Sequence, residues 1–69
     1  MVEVFKTNIR YKGQTKPVIK KLEANFPGSC VNFDLEDRDR ILRVEGDSIC
    51  PVKIKDLLVA DGYECEVLV

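Results

Sequence analysis

Cysteine thiols have the most versatile chemistry in this sequence, because they bind soft metal ions and take part in redox reactions. The chain has three, at Cys30, Cys50 and Cys65, and their spacing matches neither a zinc site nor a redox motif. An odd number of widely spaced cysteines is typical of free thiols in a reducing compartment. We therefore expect a cytoplasmic protein whose cysteines are unpaired.

Cys50 has two interpretations. It precedes Pro51 where a helix is expected to begin, and the pKa of a thiol tends to fall at a helix N-terminus. Cys50 is therefore either a reactive thiol or simply the capping residue. Cys30 is expected at the same end of the sheet, so these two thiols are weak candidates for a shared metal ion or a disulfide. Cys65 is predicted to be a small core residue.

Basic side chains form the clearer functional pattern. Lys12, Lys16 and Lys20 recur every four residues, a spacing that stacks side chains on one helix face, and Arg10 precedes them. Acidic side chains concentrate elsewhere, in the polar turn at 36–39. The pattern predicts a basic face that docks an acidic surface of a partner protein, although a solvated helix face carries the same residues.

Composition disfavours several classes of function. The chain has no histidine and no recognisable nucleophile–base pair, so we do not expect an enzyme. Its formal net charge of −1 gives no general attraction to nucleic acids or acidic membranes. The predicted sheet also lacks the aromatic platforms that stack on RNA bases. No apolar run approaches the roughly 18 residues that a membrane span needs.

Periodicity divides the chain into six elements of a single domain, residues 1–69. Apolar alternation predicts a first strand over 2–9. Thr15, two residues before Pro17, predicts the N-cap of a helix that ends near Asn25.

The second half of the chain continues this pattern. Alternation predicts strands over 31–35, 40–45 and 63–69. A second helix lies between the last two of these strands, with Cys50 or Ser48 at its cap, Pro51 near its first turn and Gly62 as its left-handed terminator.

The resulting order, β-α-β-β-α-β with short connections, predicts an α+β fold of the ferredoxin-like type. Right-handed crossovers then favour a four-stranded antiparallel sheet with both helices on one face. On the open face, Val4 and Ile41 are predicted neighbours that would form a small apolar patch. We therefore expect a monomer or a weak homodimer.

Three segments carry a resemblance to a known family. They are Val31-Asn32-Phe33-Asp34-Leu35-Glu36, Leu42-Arg43-Val44-Glu45-Gly46-Asp47 and Leu57-Leu58-Val59-Ala60-Asp61-Gly62-Tyr63-Glu64-Cys65. Their order and spacing resemble the heavy-metal-associated domain, the fold of copper metallochaperones and of the N-terminal modules of metal-pumping ATPases. That family typically shows Asp-Leu-Glu at a strand end, Val-x-Gly-Asp at a strand exit and Ala-x-Gly-Tyr-x-Ala at a helix exit. The resemblance covers nearly the whole chain.

The family's metal motif, Met-x-Cys-x-x-Cys, is absent. The resemblance places Ile9 at the methionine, and Tyr11 and Gln14 where the two cysteines stand. Phenol and carboxamide oxygens are poor ligands for Cu(I), so no metal-binding residue carries over. Tyr63 matches the tyrosine that lies close to the metal loop in this family.

The sequence thus predicts a heavy-metal-associated-like domain that has lost its usual metal ligands and acts, without a cofactor, in protein–protein recognition. The residues expected to contact the partner are Arg10, Lys12, Lys16, Lys20 and Tyr63. Two alternatives stay open. One is a metallochaperone that holds Cu or Zn through atypical thiols such as Cys30 and Cys50, and the other is a ligand-sensing regulatory module of similar topology.

Overall fold

Four strands and two helices follow one another along the chain in the predicted order. The computed structural model describes residues 1–68. In chain order the elements are β1 (Val2–Thr7), α1 (Lys12–Asn25), β2 (Cys30–Asp34), β3 (Ile41–Glu45), α2 (Pro51–Ala60) and β4 (Cys65–Leu68). All strand pairs are antiparallel, and the sheet has the order β2-β3-β1-β4. The α+β, ferredoxin-like fold class is confirmed. No helix within residues 1–68 has the length and apolar character needed to cross a membrane.

One face of the sheet packs against both helices and forms the core. Phe5 in β1 lies opposite Leu42 of β3 and Val67 of β4, so these three side chains share that face. The largest fully buried side chains are Phe5, Ile9, Leu22, Leu42, Val44, Ile54 and Leu58. Removing a side chain of this size from water contributes about 1.5–3 kcal/mol, so this one-sided core holds the helices in place.

The other face of the sheet is open, as predicted. Val4 lies opposite Arg43 on one side and Leu68 on the other, while Ile41 lies opposite Lys6. Val4 and Ile41 are therefore diagonal neighbours and not a directly opposed pair. Both are half-buried, so the apolar patch that they form with Leu68 is small.

Helix α1 begins four residues earlier than an N-cap at Thr15 predicts. Tyr11, with extended backbone angles, is the N-cap, and Lys12 is the first helical residue. Thr15 instead lies inside the helix and donates its hydroxyl to the Lys12 carbonyl oxygen at 2.7 Å. Pro17 lies inside the helix beyond the first turn, where it removes one intrahelical donor. The prediction was wrong because threonine and proline so close together are typical of a helix start.

Helix α2 matches its prediction at both ends. Cys50 is the N-cap and Pro51 the first helical residue. Gly62 adopts a φ of 89°, and its N–H donates to Val59 at 2.9 Å, while the Tyr63 N–H donates to Leu58 at 3.0 Å. This pair of bonds is a Schellman motif. It uses the backbone of residues 62–63, so β4 starts at 65 and not at 63; the predicted strand end at 69 lies outside the described residues.

The polar turn at 36–39 is closed by side-chain hydrogen bonds. Asp34 Oδ1 accepts the N–H groups of Glu36 and Asp37 at 3.2 and 3.3 Å. Arg40 adopts a φ of 50°, in the left-handed region, and its guanidinium donates to the Leu35 carbonyl oxygen. Because Arg40 and Leu35 take part in this turn, strand β3 begins at 41 and β2 ends at 34, one residue short of each prediction.

Thr7 ties this turn to the end of β1. Its hydroxyl donates to the Arg40 carbonyl oxygen at 2.6 Å and accepts the N–H of Ile9 at 3.2 Å. The Thr7 N–H donates to the carbonyl oxygen of Asp39 at 3.1 Å. The side chain is almost fully buried. Since the hydroxyl bonds redirect the chain after Thr7, β1 ends there and not at the predicted residue 9.

Replacing Thr7 by valine keeps the shape of the side chain but removes this hydroxyl. We expect Thr7→Val to lower the free energy of unfolding by about 1–3 kcal/mol, because the Arg40 carbonyl and the Ile9 N–H lose their partner. Urea unfolding followed by circular dichroism measures the loss. The Thr7→Ser control keeps the hydroxyl and lacks one methyl group, so it loses less, about 1 kcal/mol. Equal midpoints for Thr7→Val and the native protein would contradict the assigned role.

Candidate functional site

The segment between β1 and α1, residues 8–11, is here called the first loop. The side chain of Gln14 closes it. Gln14 Oε1 accepts the N–H groups of Arg10 and Tyr11, each at 3.0 Å, and the Gln14 N–H donates to the Tyr11 carbonyl oxygen at 2.9 Å. A side chain three residues into a helix that reaches back to the N-cap backbone is the second half of a capping box. Gln14 thus satisfies backbone donors at the start of α1 that would otherwise need solvent.

These bonds determine which atoms could bind a metal at Tyr11 and Gln14, the positions where the heavy-metal-associated family has its cysteines. The Gln14 carboxamide oxygen already accepts two N–H groups. Tyr11 is 68% exposed, and its only side-chain donor atom is a phenol oxygen. Neither residue therefore supplies the thiolate or thioether ligand that Cu(I) requires. Sequence reasoning missed the capping role of Gln14, although its spacing from Tyr11 is that of a capping box.

The row Lys12, Lys16 and Lys20, here called the lysine row, is exposed along α1 as predicted. Within residues 1–68, the ion pairs join Lys21 to Asp61 at 2.8 Å and Lys6 to Asp39 at 3.9 Å. No described carboxylate therefore lies within 4.0 Å of the lysine row or of Arg10. The neighbouring Lys21 is the contrast, because its charge is compensated from α2. The lysine row presents its charge to solvent.

Tyr63 lies at the end of the molecule that holds the first loop. The N–H of Glu64, the next residue, donates to Asn8 Oδ1 at 2.9 Å. This bond joins the start of β4 to the first loop across 56 residues of sequence. Tyr63 itself is half-buried and packs against the core. The structure thus brings it to the same end of the molecule as Arg10 and Lys12.

A groove of about 400 Å³ separates α1 from β2. Lys12 and Lys16 line its helix side, and three half-buried apolar side chains, Ile19, Phe33 and Leu35, line it as well. Glu36, from the acidic turn, lines the same groove. In the folded chain Glu36 therefore lies nearer to Lys12 and Lys16 than their distance in the sequence suggests. The sequence did not reveal this groove, because α1 and β2 meet only in the folded chain.

The cysteines occupy three different settings, and all three are free thiols. Cys30 lies on the open face of the sheet opposite Glu45, and Cys50 caps α2; both are exposed. Cys65 is a buried core residue, as predicted, and burial raises the pKa of its thiol to about 11, partly offset by the positive charge of Lys55. In the described part of the chain, no three histidine, cysteine or acidic residues cluster in a way that could hold a metal ion.

Comparison with known proteins adds no relative: no family model, curated protein or solved structure matches the chain. The resemblance to the heavy-metal-associated domain therefore stays a prediction from the sequence motifs.

The settings of the cysteines predict their order of reactivity. At pH 8, iodoacetamide should modify Cys30 and Cys50 in the native protein and leave Cys65 intact. A thiol whose pKa is raised has little reactive thiolate at this pH, and burial also blocks access. Peptide mass spectrometry after timed quenching measures the modification of each residue. In urea all three should react at similar rates; modification of native Cys65 as fast as Cys50 would contradict this assignment.

Proposed function

We propose that this chain is a small protein-interaction domain that docks an acidic surface of a partner protein. The contact surface, here called the basic face, consists of Arg10, Lys12, Lys16, Lys20, Tyr11 and Tyr63. The observation that carries the proposal is the lysine row, whose charges have no carboxylate within ion-pair distance while Lys21 on the same helix has one.

The positive charge of the lysine row mainly affects the rate and orientation with which a partner approaches. Lys12, Lys16 and Lys20 follow one another at one helical turn, about 6 Å apart along the axis, so they form a line of positive potential. A complementary acidic surface is attracted and oriented by such a line before contact is made. The small net charge of −1 does not oppose this, because the potential depends on local arrangement.

Tyr11 supplies an anchor beside this charge. It is one of the most exposed large hydrophobic residues in the described part of the chain, at 68%, and it lies at the N-cap of α1. Tyrosine is enriched at the centres of protein interfaces because it combines apolar area with a hydroxyl group and loses little conformational entropy. The bonds of Gln14 to the loop backbone hold this position before a partner arrives, which lowers the entropic cost of binding.

Handling of Cu or Zn by Cys30 and Cys50 is the less favoured alternative. Cys30 belongs to the open face of the sheet, whereas Cys50 lies at the start of a helix that packs on the opposite face. A structural metal site needs about four ligands that converge. The three free thiols suit a reducing compartment, and we propose a cytoplasmic location on that ground.

Charge reversal tests the proposal. The triple variant Lys12→Glu, Lys16→Glu, Lys20→Glu should weaken binding of an oligoglutamate probe by about tenfold or more, because attraction becomes repulsion. The control is Arg43→Glu, Lys53→Glu, Lys55→Glu, which reverses three exposed charges on the open face of the sheet and on α2, away from the lysine row. It should weaken binding far less.

The measurement is an amide NMR titration at low salt, repeated at high salt to show screening. In the native protein the largest shifts should fall on residues 10–20. The same two variants are then compared in affinity capture of proteins from cell extract. Partners retained by the lysine-row variant as well as by the native protein would contradict the proposal.

A further inference from the structure

Strand β2 is an unprotected edge of the sheet. It pairs with β3 on one side, and β2 stands at the end of the order β2-β3-β1-β4. Alternate residues of an edge strand direct their N–H and C=O groups outward, where they can pair with another extended chain. Apart from the bonds that pair the strands, no backbone–backbone hydrogen bond within residues 1–68 involves residues 30–34. The outer edge of β2 therefore keeps its hydrogen-bonding capacity.

The α1–β2 groove runs directly beside this edge. Ile19 from α1 and Phe33 from β2 are both half-buried against the core, so apolar surface remains in a groove of about 400 Å³. A free strand edge next to an apolar groove is the arrangement by which some domains bind an extended peptide as an additional strand. The main chain of such a peptide pairs with the edge, and every second side chain enters the groove.

We propose that β2 and the α1–β2 groove bind an extended segment of the partner protein, which adds to the sheet as a fifth strand. An apolar side chain of this segment fills the groove between Ile19 and Phe33. Acidic side chains two and four residues from the apolar one, on the same face, meet Lys16 and Lys12. The inference rests on the proposed function and specifies the form in which the acidic partner is recognised.

The spacing of the two elements fits this assignment. Side chains on one face of a strand repeat every two residues, about 6.7 Å. The lysine row repeats every helical turn, about 6 Å. Two acidic side chains that lie two residues apart on the same face of the peptide therefore have nearly the spacing of Lys12 and Lys16. Two acidic residues line the same groove. Asp34 Oδ1 accepts the N–H groups of Glu36 and Asp37, whereas the Glu36 carboxylate makes no ion pair within residues 1–68.

A second copy of this chain is a poorer occupant of the same edge. The residues of β2 that share the face of the groove are Val31 and Phe33, so a second β2 strand offers no carboxylate to the lysines. Antiparallel pairing of two β2 strands in a continuous sheet also brings the two α1 helices to the same side. Their lysine rows would then repel each other, and like charges of this kind oppose edge-to-edge association.

Selection from a library of random short peptides, displayed on phage and applied to the full chain, tests the inference. We expect enrichment of sequences with an acidic residue two positions from a bulky apolar one. A synthetic peptide with a selected sequence should shift the amide resonances of residues 30–34 and protect these amides from hydrogen exchange. Ile19→Glu should weaken its binding about tenfold or more, because a carboxylate then lies in the groove. The matched control Val59→Glu, at an exposed site on α2, should bind as the native protein does.

The outcomes separate this inference from the proposed function. If the amides of residues 10–20 shift while those of 30–34 do not, the basic face still docks acidic partners but strand addition is overturned. No enrichment, or binding that Ile19→Glu leaves unchanged, also overturns it. Sedimentation that shows a concentration-dependent dimer lost on Ile19→Glu would assign the groove to a second copy and overturn it as well. Circular dichroism confirms that each variant is folded.

Discussion

The hydrogen bonds between the Gln14 side chain and the backbone of the first loop determine where α1 begins, and the candidate site depends on that position. With Oε1 bound to the N–H groups of Arg10 and Tyr11, the helix starts at Lys12. A start at Thr15 would leave Lys12 in the loop and shorten the lysine row to two members. The same bonds place Tyr11 at the N-cap, where its side chain points away from the core, and fill the position at which the resembling family carries a metal ligand. The Gln14 side chain thus adds Lys12 to the lysine row and occupies a position where the heavy-metal-associated family has a metal-binding cysteine.

A second set of bonds connects this end of the molecule to the groove. The Thr7 hydroxyl donates to Arg40, and the Arg40 guanidinium donates to Leu35, which lines the α1–β2 groove. Arg40 holds a left-handed conformation that is uncommon for a residue with a side chain, so its hydrogen bonds offset a local cost. The first loop and the turn after β2 are therefore not independent. Because both are fixed by the fold, a partner would meet a surface that is already formed, which reduces the entropy lost on binding.

The sequence predicted those features that local patterns determine. Alternation around Phe5, Leu42 and Val44 identified the buried face of the sheet, and the pairs Cys50-Pro51 and Gly62-Tyr63 identified both ends of α2. The errors occurred where side chains bond to backbone. The start of α1 depends on Gln14, and the end of β1 depends on a bond from Thr7 to a residue 33 positions away. Such a contact leaves no trace in periodicity, so alternation alone extended the strand too far.

One part of the candidate site, the lysine row, was predictable from the sequence, and another part, the groove, was not. The spacing of Lys12, Lys16 and Lys20 gave the exposed row directly, because four residues is close to one helical turn. The groove beside it was not predictable, since its two walls are separated in the sequence and β2 becomes an edge only when the strand order is known. The expectation of well-separated charges was incomplete for the same reason: the chain returns Glu36 to the vicinity of Lys12 only on folding.

The claim that the first loop is a hydrogen-bonded docking element, and not a soft-metal site, is tested most directly by titration with Cu(I) followed in the amide NMR spectrum. The exposed thiols of Cys30 and Cys50 are alkylated first. The comparison is a variant that combines Tyr11→Cys and Gln14→Cys. It is treated with Cu(I) without alkylation, because alkylation would block the two introduced thiols. Its amide shifts show how a loop with two thiolates at a helix start responds to the metal. We expect one equivalent of Cu(I) to leave the amide resonances of residues 10–16 unchanged in the native sequence and to shift them in the variant. Shifts confined to residues 10–16 in the native protein, at micromolar metal, would contradict it.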